Sequence, residues 1–292
     1  MTVSQPMSGN STSSVLGRRL GGELLKLRTD AGLTQTDAAK VLSSSITKIT
    51  KMERGWVPMR DPDVRALCEL YGVRDPQAVG GLMELARIDR ERRKAKGWWN
   101  AYTTLGDMQE YVSLEYAATA IKAWQPAFVP GLLQTPEYVS ALRADGPTAS
   151  PAEDKEFVAA RLARQRRLTD DRPLVLQTVI YEAALRNIPG GANTARGQLE
   201  HLAKMAEQPN ITLLVYPFSA GPHVGLSSAF NVISFAEPGA MDVVYLEIPF
   251  TRLWIEGGDR TAAHDELFEA LAERSLSEHD SALLLHRLHK DF

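Results

Sequence analysis

The stretch from Thr34 to Gly55 restricts the fold more tightly than any other part of the chain. Ala38, Ala39 and Leu42 form an apolar stripe at helical spacing, and Thr34 stands before them as an N-cap hydroxyl. The run Ser43-Ser44-Ser45 interrupts that helix, and Ser45 caps a second one over 46–54, which Gly55 ends. On the second helix Ile49 and Met52 point one way while Thr47, Thr50, Lys51 and Arg54 point the other. Ala39 is small enough for a close helix crossing, and Ala38, Leu42, Ile49 and Met52 lock the crossing angle. Together these are the requirements of a helix-turn-helix.

Such a motif presents its second helix to a groove of double-stranded DNA. Ser45, Ile46, Thr47, Thr50, Lys51 and Arg54 project outward from it. Lys51 or Arg54 suits guanine O6 and N7, Thr47 and Thr50 suit base edges or phosphates, and Ile46 suits a thymine methyl. Gln35, at a helix N-terminus, suits a phosphate, and Lys48 points toward the DNA backbone. The competing reading is a small helical bundle used for protein contacts. An outer face of Thr, Lys and Arg argues against it, because protein interfaces favour aromatic and aliphatic anchors.

Charge divides the chain in the same sense. The net charge of the 292 residues is −3, yet residues 1–96 hold 17 Lys and Arg against 11 Asp and Glu, a net +6. The remainder holds 16 against 25, a net −9. A cationic N-terminal part suits a polyanion, and the acidic remainder suits small molecules, protein partners or a second copy of the chain. Hydrophobic residues at 44% and charged residues at 24% match ordinary globular usage, so neither disulfides nor metals are needed for folding. The single cysteine, Cys68, reads as a small apolar helix residue. With no disulfide, no apolar run long enough for a membrane span and no signal peptide, the expected location is the cytoplasm.

Domain-sized segments follow from these patterns. Residues 1–15, rich in Ser and Thr, read as a disordered tail. Residues 16–74 read as an all-α helix-turn-helix domain, with a first helix on Leu16, Leu20, Leu24 and Leu27 and a fourth over 63–71. Residues 75–97 read as a connecting helix ending at Gly97. Residues 98–292 read as an α+β domain for regulation and dimerisation, with a small mixed sheet. Its helices are expected over 108–121, 138–143, 151–168, 198–206, 260–273 and 278–288. Its strands are expected over 173–180, 211–216, 230–235, 243–248 and 252–255.

At Gly32-Leu33-Thr34-Gln35, Ala39, Ser45, Ile49, Met52-Glu53 and Gly55 the first segment resembles the Cro/repressor-like (XRE) helix-turn-helix family. It departs from that family at the turn, where Ser43 and Ser44 replace the usual glycine and apolar residue. A non-glycine residue in a left-handed conformation costs on the order of 1 kcal/mol. The second segment resembles the C-terminal domain of WhiJ-type, antitoxin-like actinobacterial regulators. The runs that carry this likeness are 124–135 (WQPAFVPGLLQT), 182–186 (EAALR) and 217–221 (PFSAG). The resemblance implies a regulator encoded beside a small partner protein, with no well-established ligand or reaction. Val129-Pro130-Gly131-Leu132-Leu133, taken by itself, reads as an apolar packing turn.

No nucleophile elbow, phosphate-cradling glycine loop or zinc-protease motif is present, so neither a catalytic residue nor a cofactor is expected. His286 and His289, with Glu278 and His279, read as a solvated face rather than a metal set. His223, in a Gly/Pro-rich loop after a strand, is the candidate effector contact. These features lead to a homodimeric transcriptional regulator, with an antitoxin-like protein that binds a small partner and autoregulates through DNA as the alternative. An enzyme with a DNA-targeting head is the weakest reading.

Overall fold

The computed structural model describes residues 14–94, 97–106, 108–144, 150–236, 242–248, 251–256 and 259–292. The chain divides into two compact units, residues 1–96 and 97–292, each with its own hydrophobic core. The first unit is all-helical, with α1 (Val15–Asp30), α2 (Gln35–Val41), α3 (Ile46–Glu53), α4 (Asp61–Leu70) and α5 (Pro76–Lys94). Leu20 and Leu24 of α1, Ala38 of α2, Ile49 and Met52 of α3 and Val64 and Leu67 of α4 meet in one core. Each fully buried Leu, Ile or Met there stabilises by roughly 1.5–3 kcal/mol relative to exposure.

The expected tail, residues 1–15, lies outside the described residues as far as residue 13. At its end Ser14 already caps α1, accepting from the Gly17 N–H at 3.0 Å and from Arg93 Nη2 at 2.8 Å. The segment expected as a connecting helix, 75–97, packs as α5, sending Leu82, Leu85, Ala86 and Ile88 into the N-terminal core. α4 begins at Asp61, two residues before the expected start, because proline is tolerated in the first turn, where its missing N–H would have no partner.

The second unit is built on a six-stranded mixed sheet in the order β3-β2-β1-β4-β5-β6. The strands are β1 (Ala120–Gln125), β2 (Val175–Tyr181), β3 (Ile211–Tyr216), β4 (Phe230–Ser234), β5 (Val243–Ile248) and β6 (Thr251–Glu256). β1, β2 and β3 run parallel, and β4, β5 and β6 continue antiparallel. Parallel neighbours need long crossovers, which α7 (Pro136–Ala144), α8 (Pro151–Gln165), α9 (Glu182–Arg186) and α10 (Gly191–Met205) supply. One sheet face carries Trp124, Val179, Tyr216, Phe230, Val232 and Val244, covered by Phe268 and Leu271 of α11 (Asp259–Glu273). On the other face lies α6 (Met108–Ala117), whose Tyr111 accepts from Asn231 Nδ2 at 3.3 Å and packs on Tyr245 at 4.6 Å between ring centroids. α12 (Glu278–Asp291) closes the chain, and the Ser281 hydroxyl accepts from the Val215 N–H of β3 at 2.9 Å.

The expected all-α unit followed by an α+β unit with a mixed sheet is the architecture observed. One element differs in kind. The helix expected over 108–121 ends at Ala117, and the chain turns directly into β1. β1 contains Ala120, Lys122 and Ala123, which favour strands weakly. Its pairing with β2 on one side and β4 on the other overrides that local preference. No helix among the described residues is long and apolar enough to cross a membrane.

Candidate nucleic-acid interface

Local chemistry sets the helix-turn-helix geometry. Thr34 and Asp37 form a reciprocal capping box at the start of α2: the Asp37 N–H donates to the Thr34 hydroxyl, and the Thr34 N–H donates to the Asp37 carboxylate. The helix ends in a Schellman turn, with the Ser44 N–H on the Ala39 carbonyl at 2.9 Å and the Ser43 N–H on the Lys40 carbonyl at 3.1 Å. That closure requires a left-handed residue, and Ser43 supplies it at φ +46°. Ser45 then caps α3, accepting from the Lys48 N–H at 3.2 Å. A second turn of the same kind ends α3, where Gly55 adopts φ +68°.

A buried carboxylate fixes the three helices to one another. Glu53, near the end of α3, receives Nε and Nη2 of Arg28 from α1 at 2.6 and 3.2 Å, and Gln35 Nε2 from α2 at 2.7 Å. Arg28 also donates through Nη1 to the Leu33 carbonyl at 2.8 Å. The hydrogen bond to Glu53 raises the Arg28 pKa above its ordinary value despite partial burial. Tyr71 of the neighbouring wall is pushed up to about 12, first by burial and then by the charge of Glu53. The sequence pattern includes Glu53 but does not reveal this role, since Arg28 lies 25 residues away.

Around this hub the structure separates the expected contact residues. Ser45, Ile46, Thr47, Lys51 and Arg54 are exposed together on α3, with 48% of Ile46 accessible. Thr47, Lys51 and Arg54 follow at i, i+4 and i+7, a single stripe along the helix. Arg54 also stacks on Trp56 at 5.1 Å. Two other expected residues turn toward each other: the Thr50 hydroxyl donates to Gln35 Oε1 at 3.2 Å, with the Ile46 carbonyl at 3.1 Å. Lys48 lies 3.8 Å from Asp63 at the start of α4, beside the Arg60–Asp63 pair.

The other expected site residues belong to the second unit. His223 caps a short 3-10 turn (Val224–Ser227), its Nδ1 accepting from the Gly225 N–H at 3.1 Å, and its ring meets Tyr216 edge-on. The turn is held from beneath by Trp124 Nε1, which donates to the Gly225 carbonyl at 2.7 Å. His223 therefore has one ring nitrogen committed to the fold. His286 and His289 lie on α12, and no three His, Cys, Asp or Glu side chains gather among the described residues. Cys68 is buried, and burial raises its thiol pKa.

A family model described as "Helix-turn-helix domain" matches residues 19–80, and one described as "Domain of unknown function (DUF5753)" matches residues 108–287. No curated protein and no solved structure matches the chain. The first match takes in most of α1, all of α2, α3 and α4 and the start of α5, a type of domain that binds DNA. The second covers the whole mixed sheet and well over half of the chain, which therefore belongs to the DUF5753 family, with a helix-turn-helix domain ahead of that region.

Proposed function

We propose that the protein is a sequence-specific transcriptional regulator of the Cro/repressor-like (XRE) type. In this reading it acts as a homodimer whose residues beyond Gly97 supply dimerisation and receive a signal. The observation that carries the reading is the exposed stripe Thr47, Lys51 and Arg54 on a helix braced from behind by Glu53, Arg28 and Gln35. A rigid helix with short polar and cationic side chains at one-turn spacing suits the major groove. Ile46, Thr47, Lys51 and Arg54 read bases. Ser45 and the N-terminal end of α2 at Gln35 approach phosphates, and Lys48 adds a sequence-independent contact. Thr50 acts on DNA indirectly, by holding Gln35.

A single helix-turn-helix reads few base pairs, and two copies reach the ~10⁻⁸ M or tighter affinity of specific regulators. Leu20, Leu24, Ala38, Ile49 and Met52 of the N-terminal unit are already committed to its core, so pairing falls to the larger, acidic unit. The likeness to WhiJ-type regulators adds a small protein partner as a further ligand of that unit.

Sequencing of genomic fragments retained by the purified protein tests the reading. The expected result is one shared two-fold symmetric motif, with half-sites about 34 Å apart or a multiple of that spacing. Lys51→Ala is expected to weaken binding to it by about 1–3 kcal/mol, and Lys48→Ala to weaken all sequences alike. Retained fragments without a common motif, or a Lys51→Ala variant of unchanged affinity, overturn the assignment.

A further inference from the structure

In the second unit, Arg161 on α8 is half-buried, and its guanidinium has no hydrogen bond or ion pair with any described residue. The guanidinium lies over the Phe157 ring, 5.3 Å from its centroid. One turn further on, Arg164 is fully engaged, with Nε and Nη2 each 2.8 Å from the two oxygens of Glu115. Both guanidinium groups converge on Gly131 in the turn after β1. A Cβ at that position would stand 2.3 Å from Arg161 Nη1 and 3.6 Å from Arg164 Nη2. Gly131 is not in the left-handed region, so its backbone does not require glycine there. A side chain there would displace the Arg161 guanidinium from its present place.

Burial and the charge of Arg164 push the Arg161 guanidinium down to about 10, against the pull of Glu115 and Glu247. It therefore stays charged at neutral pH. A half-buried cation with no hydrogen-bonded carboxylate among the described residues, the Glu115 oxygens being held by a second arginine, is an unusual thing for a fold to retain for packing alone, since desolvating a charge without a partner is costly.

We infer that Arg161, backed by Arg164 and given room by Gly131, binds the carboxylate of a small organic acid. A guanidinium fork matches a planar carboxylate through two parallel hydrogen bonds. One negative charge balances Arg161, which has no ion-paired partner among the described residues. A phosphate group, carrying up to two charges at neutral pH, would bring the excess against Glu115 and Glu247. The site lies wholly within the second unit and stands whether or not the first unit reads DNA.

Thermal unfolding of the full chain in sodium acetate, sodium phosphate and sodium chloride at matched ionic strength tests the inference. Acetate is expected to raise the melting temperature saturably, phosphate less so, and chloride not at all. Arg161→Met, which keeps the length of the stem without its charge, is expected to melt at or above the wild-type temperature in chloride and to lose the acetate response. The inference is overturned by the absence of a saturable acetate effect in the wild type, or by a phosphate effect larger than that of acetate. It is equally overturned by an Arg161→Met variant that keeps the response or melts well below the wild type, which would assign Arg161 to packing. A second variant, Arg161→Lys, retains the charge without the fork. It is expected to need several-fold more acetate, and an unchanged requirement overturns the inference.

Discussion

Ser43, at φ +46°, is the one non-glycine residue with positive φ among those described, and it sits at the turn that aims α3. Its hydroxymethyl group gains nothing that offsets the left-handed backbone, so Ser43→Gly is expected to stabilise the N-terminal unit by about 0.5–1 kcal/mol. Urea unfolding followed through Trp56, the tryptophan of that unit, measures it. Glu53 has the opposite character. Replacing it with Ala leaves Arg28 largely buried without its carboxylate, and the expected loss is about 3 kcal/mol in the same measurement. Tyr71 adds a pH dependence. Its phenol ionises near 10 in the unfolded chain and at about 12 in the folded one, so the unfolded state releases the proton first. This contribution is fully present below pH ~10 and fades as pH rises toward ~12, amounting to roughly 2–3 kcal/mol. Tyr71→Phe is expected to flatten that alkaline decline, and an unchanged slope would show that the phenol is not its source.

At the scale of elements, α1 and α3 approach so closely that two glycines become obligatory. A Cβ on Gly21 would lie 2.4 Å from the carbonyl oxygens of Met52 and Glu53, and one on Gly55 would lie 2.2 Å from the Arg18 backbone nitrogen. Gly21→Val must force the helices apart, so it is expected to cost several kcal/mol and to abolish specific DNA binding by tilting α3. A variant that unfolds and binds like the wild type would show that the crossing tolerates a side chain. The same helices mark what the sequence makes legible. Thr34, Ser45 and Gly55 announce the ends of α2 and α3 because capping is local chemistry, and the strands at 211–216 and 243–248 stand where their β-branched runs lie. β1 is hidden because Ala120-Ile121-Lys122-Ala123 carries no strand signature and becomes a strand only between β2 and β4. The beginning of α10 is hidden as well, since Gly190 and Gly191 read as a break while serving as its left-handed entry. The Arg28–Glu53–Gln35 hub and the Arg161–Gly131 approach escape any reading of spacing, because both join positions far apart in the chain.

For the whole molecule, the opposite charges of the two parts set the expected solution behaviour. With +6 on residues 1–96 and −9 beyond, affinity for DNA should fall steeply with salt while dimer affinity should not. Light scattering on the full chain at micromolar concentration is expected to give about twice 32.2 kDa in both low and moderate salt. A mass near 32.2 kDa would remove the dimer. The strand order has a consequence for how the protein comes into being. β1 pairs with β2 through Ile121 and Leu176, and with β4 through Ile121 and Ile233, so the middle of the sheet waits for chain made much later. The helical unit closes its contacts within its own first hundred residues. During synthesis that unit can mature at the ribosome exit while the sheet is still incomplete, and contact order predicts the same sequence in refolding. Trp56 should therefore recover its native emission in an early phase, and Trp124, enclosed between sheet and α11, in a slower one.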